Sequence, residues 1–312
     1  MDSFILAAES VLPIFLLMAL GYTLKRLNFA KKEHFDAMNK LVFRVFLPTL
    51  LFYNIYKTDI DGVFDSKLII FTVLGVLCVF ALSWLMVILI SKENSIRGVM
   101  LQGFFRSNYA ILGLPIVGYV CGNTAGGLSS VMVAVIVPLF NILAVIALEV
   151  FRDGRIYPLK LIKGIVTNPL VIGCVLGGVF LFLGLSLPSF VENAVSSAAS
   201  VASPLAMVVL GAGFAFSDLG GRAKELIITV AARLVLVPAV MVTAAALLGF
   251  RGEALACILV AFGSPVAVSS FSMAVQMGGD EKLAAQIVVI SSAACIATLF
   301  CFIFILNSLA LF

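Results

Sequence analysis

The sequence predicts an all-α, polytopic membrane protein with ten transmembrane helices in two inverted five-helix repeats. Three observations support this fold class. The 312 residues are 62% hydrophobic and only 12% charged, which is far from the balance of a soluble domain. The apolar residues fall in runs of about 20, each long enough to cross a bilayer core of roughly 30 Å. Prolines also recur at similar offsets in the two halves of the chain.

Ten apolar runs are separated by short polar connections. The first run, from Phe4 to Leu24, lacks a basic start and a small-residue cleavage site, so we interpret it as a retained helix rather than a signal peptide. The predicted spans are 4–24, 38–56, 68–90, 97–120, 128–151, 165–185, 197–216, 224–248, 253–277 and 283–311. The connections contain neither a soluble domain nor a basic patch suited to nucleic acid, so no nucleic-acid partner is expected.

Lysines and arginines are distributed unequally between the two sides of the predicted bundle. The loops after the odd-numbered spans carry 14 of them, whereas the opposite loops carry only Lys57, Lys67 and Arg251. Because cytoplasmic loops are enriched in basic residues, we expect the 25–40 and 152–163 loops in the cytoplasm and both termini outside. The net charge of +4 follows from this sidedness rather than from a polyanionic partner.

Prolines in the two halves of the chain form three matching pairs. The pairs are Pro13 with Pro169, Pro48 with Pro204, and Gly113-Leu-Pro115 with Gly263-Ser-Pro265. The first two pairs are 156 residues apart and the third is 150 apart, and each joins span n to span n+5, which indicates a duplication. Five spans is an odd number, so the second unit must enter from the opposite face, as in many secondary transporters. We expect residues 1–156 to form the first inverted repeat and residues 157–312 the second.

The Gly-x-Pro motifs predict that spans 4 and 9 are broken helices that cross near the bilayer midplane. Proline removes a backbone donor, and glycine lets the chain leave helical geometry, so Gly113–Pro115 and Gly263–Pro265 are the expected unwound centres. Such breaks are tolerated in a membrane only where they are buried in protein or line a cavity. The new helix N-termini present amides and a partial positive charge, which suit an anion. A simple proline kink in a packed bundle is the alternative.

Several segments together carry a resemblance to a known family. They are "SVLPIFLLMALGY", "MNKLVFRVFLPTLLF", "SNYAILGLPI", "TNPLVIG", "SPLAMVVLGAGFAF", "ARLVLVPAVM" and "LGFRGEALACILVAFGSPVAVSSF". In this order they resemble the auxin efflux carrier family, which includes the plant PIN carriers and bacterial dicarboxylate permeases. The similarity extends along nearly the whole chain, and Asn108, Gly113 and Pro115 match the family's fourth helix.

The resemblance implies an architecture and a mode of movement. It implies a scaffold of helices 1, 2, 6 and 7, a transport domain of helices 3–5 and 8–10, elevator-type movement, and a homodimer formed through the scaffold helices. Residues 152–163 stand where the plant carriers have a long cytosolic loop. This difference favours a bacterial-type member in the plasma (inner) membrane, in contact with membrane lipid, and weakens the case for auxin itself as the substrate.

Polar residues beside the predicted breaks are the candidate substrate ligands. Asn108 leads because it lies two helical turns before Pro115, and its amide can both donate to a carboxylate and accept from a backbone amide. Arg106 is an intramembrane cation whose planar fork suits carboxylates. The other candidates lie at the breaks or in neighbouring spans: Gly113, Pro115, Gly263, Ser264, Pro265, Ser269, Ser270, Arg233, Tyr53 and Asn141.

Each leading candidate also has a structural alternative. Asn108 could satisfy only freed backbone, and Arg106 could extend to the cytosolic surface. Arg233 could contact the opposite break or pair with an acid, and the serines are common helix-packing residues in membranes. A scaffold or interfacial role is expected for Arg44.

These features predict a secondary transporter that moves a small organic anion, carboxylate or auxin-like, by alternating access. The runner-up is an anion channel or uniport pore, which would need rings of like residues or a continuous polar pore face. An enzyme is not expected, because the sequence contains no Gly-x-Ser-x-Gly motif or metal-ligand cluster and its one histidine, His34, lies in a loop. No cofactor or metal is predicted, and Na+ and H+ both remain candidate coupling ions.

Overall fold

The computed structural model describes residues 2–58, 65–121, 127–152, 158–214 and 221–312. Within these ranges the chain is helical and joined by short turns, which confirms the all-α prediction. The helices are α1 (Asp2–Arg26), α2 (Lys32–Leu41), α3 (Leu47–Tyr56), α4 (Ser66–Ile90), α5 (Asn94–Phe105), α6 (Tyr109–Cys121), α7 (Gly127–Arg152), α8 (Pro158–Val166), α9 (Pro169–Phe182), α10 (Ser189–Gly213), α11 (Ala223–Ala231), α12 (Val237–Leu247), α13 (Gly252–Gly263), α14 (Ser269–Met277) and α15 (Glu281–Ser308). The predicted cytoplasmic Arg155 falls in 153–157, outside the described residues.

Five of the described helical segments are long and apolar enough to cross a membrane. They are Ser66–Ile90, Gly127–Arg152, Ser189–Gly213, Ala223–Leu247 and Glu281–Ser308. Their outward surfaces carry large apolar side chains: Leu82, Leu85 and Leu89 of α4 are all exposed. Apolar faces of this extent are stable in lipid rather than in water. The protein is therefore a multi-pass membrane protein.

Two helices contain a π-helical turn immediately before a proline. Val42–Phe46 joins α2 to α3, and Ala232–Leu236 joins α11 to α12. Pro48 and Pro238 occupy the first turns that follow. Proline has no amide hydrogen and cannot donate the usual helical hydrogen bond. One wider, π-helical turn before the proline accommodates this loss, and the helix continues beyond the proline.

Close backbone contacts hold α1 against α10 and α3 against α9. A Cβ atom added at Gly21 would collide with the backbone of Val208, and one added at Gly211 would collide with Met18. Small residues at such crossings let helices approach closely where no hydrophobic effect drives them together. A second set of helices, α4 to α7 and α11 to α15, packs around α5 and α13.

The two helix breaks are present, but the first lies elsewhere than predicted. Gly113 and Pro115 are both inside α6, and the chain instead leaves helical geometry at residues 106–108. The prediction of an unwound Gly113–Pro115 is therefore wrong. Proline within α6 removes only one hydrogen bond, whereas residues 106–108 gain replacement bonds from the other broken helix.

The second break lies close to its predicted position. Gly263 is the last residue of α13, Ser264 and Pro265 follow it, and α14 begins at Ser269. A carbonyl group near the end of α13, that of Val260, accepts a hydrogen bond from Ser107 Oγ in the first break.

Candidate functional site

The two broken helices cross through direct backbone contacts. Ser107 and Val266 form an isolated antiparallel bridge, and the Asn108 amide donates to the Pro265 carbonyl at 2.9 Å. The amide of Val266 donates to Ser291 Oγ at 3.2 Å. Since an unpaired backbone group would cost several kcal/mol in an apolar interior, these contacts explain how the chain can be non-helical at this depth.

Four helix ends meet at this crossing. Helices α5 and α13 arrive with their C-termini, at Phe105 and Gly263, and α6 and α14 leave with their N-termini, at Tyr109 and Ser269. Helix C-termini carry partial negative charge and N-termini carry partial positive charge. One side of the crossing therefore favours a cation and the other an anion.

Arg233 occupies the side that favours a cation. It is 0% exposed, and its Nε donates to the Ser264 carbonyl at 2.9 Å. Its Nη1 donates to the Phe105 carbonyl at 3.2 Å, and its Nη2 donates to the Ala261 carbonyl at 3.0 Å. The guanidinium thus caps the C-termini of α5 and α13 together. The structure brings this predicted site residue to the crossing, although not to the cavity described next.

A small cavity of about 50 Å³ lies on the other side of the crossing. Its polar lining consists of Arg106, Ser107, Asn108, Asn141 and Ser269. The opposite wall is mainly apolar and comes from α3, α9 and α10: Leu47, Leu50, Leu51, Leu170, Ser203 and Ala206. This volume holds a few water molecules, so the cavity is too small for an organic anion without movement of its walls.

Arg106 projects into this cavity rather than to the membrane surface. It is 2% exposed, and its Nη2 donates to Asn141 Oδ1 at 2.7 Å and to Ser269 Oγ at 2.8 Å. Its Nη1 donates to Gln102 Oε1 at 3.0 Å and to Met273 Sδ at 2.7 Å. All four partners are uncharged, and no described carboxylate lies within ion-pairing distance. The cavity therefore contains a buried positive charge that no carboxylate of the described residues neutralises.

Asn108 adds an unused donor to the same cavity. Its side chain is 4% exposed, and its Nδ2 has no hydrogen-bond partner. Its backbone carbonyl accepts from the amides of Ile111 and Leu112, which begins α6. The main chain of Asn108 is thus structural, whereas its Nδ2 is a buried donor without an acceptor among the described residues.

The remaining predicted residues lie outside the cavity lining. Tyr53 packs near Tyr56, with a ring-centroid distance of 6.4 Å. Ser264 and Ser270 are buried, and each has an Oγ atom without a partner, but neither lines the cavity. Of α6, it is Ala110 and Ile111 rather than the Gly-x-Pro motif that contribute to the wall.

Sequence reasoning missed three polar contributors: Ser107, Gln102 and Ser203, the last of which lines the cavity from α10. Ser107 lines the cavity, and its Oγ donates to the Val260 carbonyl at 3.2 Å. Gln102 holds the Arg106 guanidinium from one turn earlier on α5. The spacing of four residues between Gln102 and Arg106 was the available signal, since side chains at i and i+4 share a helix face.

Two crossing broken helices beside a buried cation, within a multi-pass helical protein, are typical of secondary membrane transporters. The chain belongs to the family described as "Membrane transport protein", whose model matches residues 6–303. This match confirms the resemblance to the auxin efflux carriers. Members of this family are transporters, in agreement with the expectation that the protein is not an enzyme.

Curated relatives match over most of their length. A protein of Rhizobium meliloti named "Putative malonate transporter" is 25% identical over 312 residues, covering 96% of this chain and 96% of that protein. An "Uncharacterized transporter" of Methanothermobacter thermautotrophicus is 24% identical over 293 residues, covering 92% and 94%. Another, of Methanocaldococcus jannaschii, is 24% identical over 294 residues, covering 91% and 94%.

Proposed function

We propose that the protein is a secondary transporter of a small organic anion of the carboxylate class, which binds at the crossing. One observation carries this proposal: Arg106 is buried at the cavity with only uncharged partners. An unpaired buried charge is costly, and an incoming carboxylate would supply the missing countercharge. The malonate named for the Rhizobium meliloti relative is accordingly the first substrate to test.

The geometry around Arg106 favours a carboxylate over a cation or a neutral solute. The N-termini of α6 and α14 direct partial positive charge toward the cavity, and Asn108 Nδ2 is a donor without an acceptor. A carboxylate accepts several hydrogen bonds at once and matches the fork of a guanidinium. A cation would face Arg106 without any described acidic side chain to offset the repulsion.

Ten membrane crossings in two inverted repeats remain our proposal for the architecture. The lengths of matching helices support it: α5 and α13 are both 12 residues long, and Gly252 follows Asn94 by 158 positions. Helix α4 has 25 residues, as does the segment Ala223–Leu247, which begins 157 positions later. These offsets are close to the 156 of the proline pairs. The offset of 158 between α5 and α13 places Arg106 and Ser264 at corresponding positions, and each is the first residue after its helix.

An elevator-type movement is supported by the unequal walls of the cavity. Five of the six polar lining residues belong to the first break, α7 and α14, in the proposed transport domain, whereas the residues contributed by α3, α9 and α10, in the proposed scaffold, are apolar except for Ser203. A bound anion would travel with the polar wall along a surface that offers it few competing partners. We further propose a homodimer formed through the scaffold, with both termini outside the bacterial inner membrane.

An ion channel is less well supported by the same cavity. Leu47, Leu51 and Phe140 line it, so its surface is not continuously polar. A channel needs a continuous polar pore or rings of like residues.

Counterflow in proteoliposomes tests the proposal. A thermal-shift screen of the purified protein against mono- and dicarboxylates, with and without sodium and across pH, first selects the substrate. Vesicles loaded with that carboxylate are then expected to accelerate uptake of the labelled compound, and uptake should saturate. Flux that rises linearly with concentration and is not accelerated by internal substrate would contradict a carrier. The absence of binding by any carboxylate would contradict the substrate class.

A further inference from the structure

A second and larger cavity lies beside the basic loops that are predicted to be cytoplasmic. It measures about 230 Å³ and is enclosed by α1, α2, α10, α14 and α15. Helices α10 and α14 also line the cavity at the crossing. The two cavities therefore share two of their bordering helices, although no residue lines both. Phe271 lines the second cavity, and its ring packs against Gly213, where an added Cβ would collide with it.

Asn39 is the feature of this cavity that lacks an internal explanation. The residue lies on α2, is 1% exposed and lines the cavity. Neither its Oδ1 nor its Nδ2 has a hydrogen-bond partner in the part of the chain that the structure describes. A buried polar group without a hydrogen-bond partner is costly, so the Asn39 amide is a candidate ligand-binding group.

The charges around Asn39 favour an anion. Lys25, Lys32 and Lys282 line the cavity together with two acidic residues, Asp36 and Glu281. Lys32 pairs with Glu281 at 3.2 Å, and this hydrogen bond, with the attraction of the carboxylate, raises the pKa of Lys32. Lys25 has no ion-pair or hydrogen-bond partner for its amine among the described residues. Among the described lining residues, Lys25 is therefore the cation that supports an anion site.

We propose that this cavity is a second site for a small carboxylate, separate from the crossing. The Asn39 amide nitrogen would donate to the carboxylate, and the ammonium of Lys25 would supply the charge. The Asn39 carbonyl would accept from a ligand hydroxyl or from a bound water. The volume suits an anion of a few carbon atoms, which would not fit the smaller cavity at the crossing without movement. This inference does not depend on whether the crossing binds an anion.

Calorimetric titration of malonate into the detergent-purified Arg106→Gln protein tests the inference, because that substitution removes the cation of the crossing. Malonate binding at one site per chain is expected to persist. Adding Asn39→Asp, which keeps the side-chain size but replaces the donor with a negative charge, should weaken this binding at least about tenfold. Lys25→Gln should act in the same direction. Lys40→Gln is the matched control for Lys25→Gln. Lys40 is an exposed lysine next to Asn39 on α2, and it does not line the cavity.

Two outcomes would overturn the second site. The first is an Arg106→Gln protein that is folded, by its melting temperature, and binds neither malonate nor any other carboxylate of the screen. The second is unchanged affinity in both Asn39→Asp and Lys25→Gln. Two malonate sites per chain in Arg106→Gln would contradict the anion site at the crossing and leave the second site in place. The two proposals can therefore be refuted separately.

Transport assays distinguish whether the carboxylate bound in this cavity is the transported substrate or a separate regulator. If the transported substrate binds in this cavity before it reaches the crossing, its KM for transport from the cytoplasmic side should be higher in Asn39→Asp than in the parent protein. A separate regulatory carboxylate should change the rate of malonate counterflow without being transported itself.

Discussion

The two buried arginines, Arg233 and Arg106, meet the same crossing from opposite sides. Neither has a carboxylate partner among the described residues. Arg233 donates to three backbone carbonyls, at the ends of two helices. Arg106 donates only to side chains, and it lines a cavity.

The kind of partner separates a structural cation from a ligand-binding one. Backbone carbonyls at helix ends are fixed in position and carry partial negative charge, so the charge of Arg233 is largely compensated within the fold. The side chains around Arg106 can rotate, and they are neutral, so a carboxylate can replace some of them without unfolding a helix. We therefore expect substitutions at Arg233 to affect stability and substitutions around Arg106 to affect binding.

Removal of Arg233 should have the largest effect. Arg233→Met keeps the length of the side chain but leaves three buried carbonyls without donors, at about 1–3 kcal/mol each. The melting temperature in detergent should fall by at least about 10 °C, or no monodisperse protein should be recovered. The melting temperature of Arg233→Lys, whose ammonium can still reach one or two carbonyls, should lie between those of the parent and Arg233→Met. A stable Arg233→Met protein that fails only to bind carboxylates would exchange the roles assigned to the two arginines.

A new carboxylate beside Arg106 should compete with the substrate. Asn141 Oδ1 already accepts from Arg106 at 2.7 Å, so Asn141→Asp would create an ion pair with almost no change in shape. Malonate affinity in equilibrium titration should fall about 100-fold, corresponding to roughly 3 kcal/mol of lost attraction and added repulsion. Asn141→Ala, which adds no charge, is expected to cost less than about tenfold. Equal effects of the two substitutions would argue against a direct charge interaction with the ligand.

Truncation of Asn108 should weaken binding without loss of stability. Its Nδ2 has no partner among the described residues, and its backbone amide keeps the bond to Pro265 whatever the side chain. Asn108→Ala should raise the Kd about five- to thirtyfold, since one hydrogen bond to a charged group contributes roughly 1.5–3 kcal/mol at most. Normal binding by a folded, monodisperse Asn108→Ala protein would show that the residue only supports the break.

The smallest effect is expected at Arg44, which serves as the control for charge removal. This arginine lies in the π-helical turn between α2 and α3, is exposed, and does not line the cavity. Arg44→Gln should leave malonate affinity within about twofold of the parent, as is typical of exposed substitutions. A large loss would mean that affinity depends on net charge rather than on the position of Arg106.

The sequence was sufficient to predict the helical class and much of the cavity. Arg106, Asn108, Asn141 and Ser269 were all chosen from the sequence, and all four line the cavity. They could be found because polar residues in apolar spans are rare and costly. The recurrence of prolines also located the two spans that cross.

The exact position of the first break depends on contacts that no local motif encodes. Gly113 and Pro115 are strong helix breakers, yet they remain in α6, because residues 106–108 are held open by pairing with residues more than 150 positions away. The offset between the Gly-x-Pro motifs was 150 rather than the 156 of the other proline pairs, and this difference was the available warning.

The role of Arg233 could not have been predicted for a related reason. Its acceptors are main-chain carbonyls, two near the end of α13 and one at the end of α5, so residue type carries no information about them. Only the assembled fold brings these carbonyls together around one guanidinium.

Equilibrium binding of malonate, or of the carboxylate selected by the screen, to Arg106→Gln tests the central claim most directly. The measurement uses purified protein whose melting temperature matches the parent, and it resolves the tight site from any weaker one by stoichiometry. We predict that one carboxylate site per chain is lost, with its affinity reduced at least about 100-fold, while the protein remains folded. A folded Arg106→Gln protein that keeps every carboxylate site at parental affinity would contradict an anion site at the crossing.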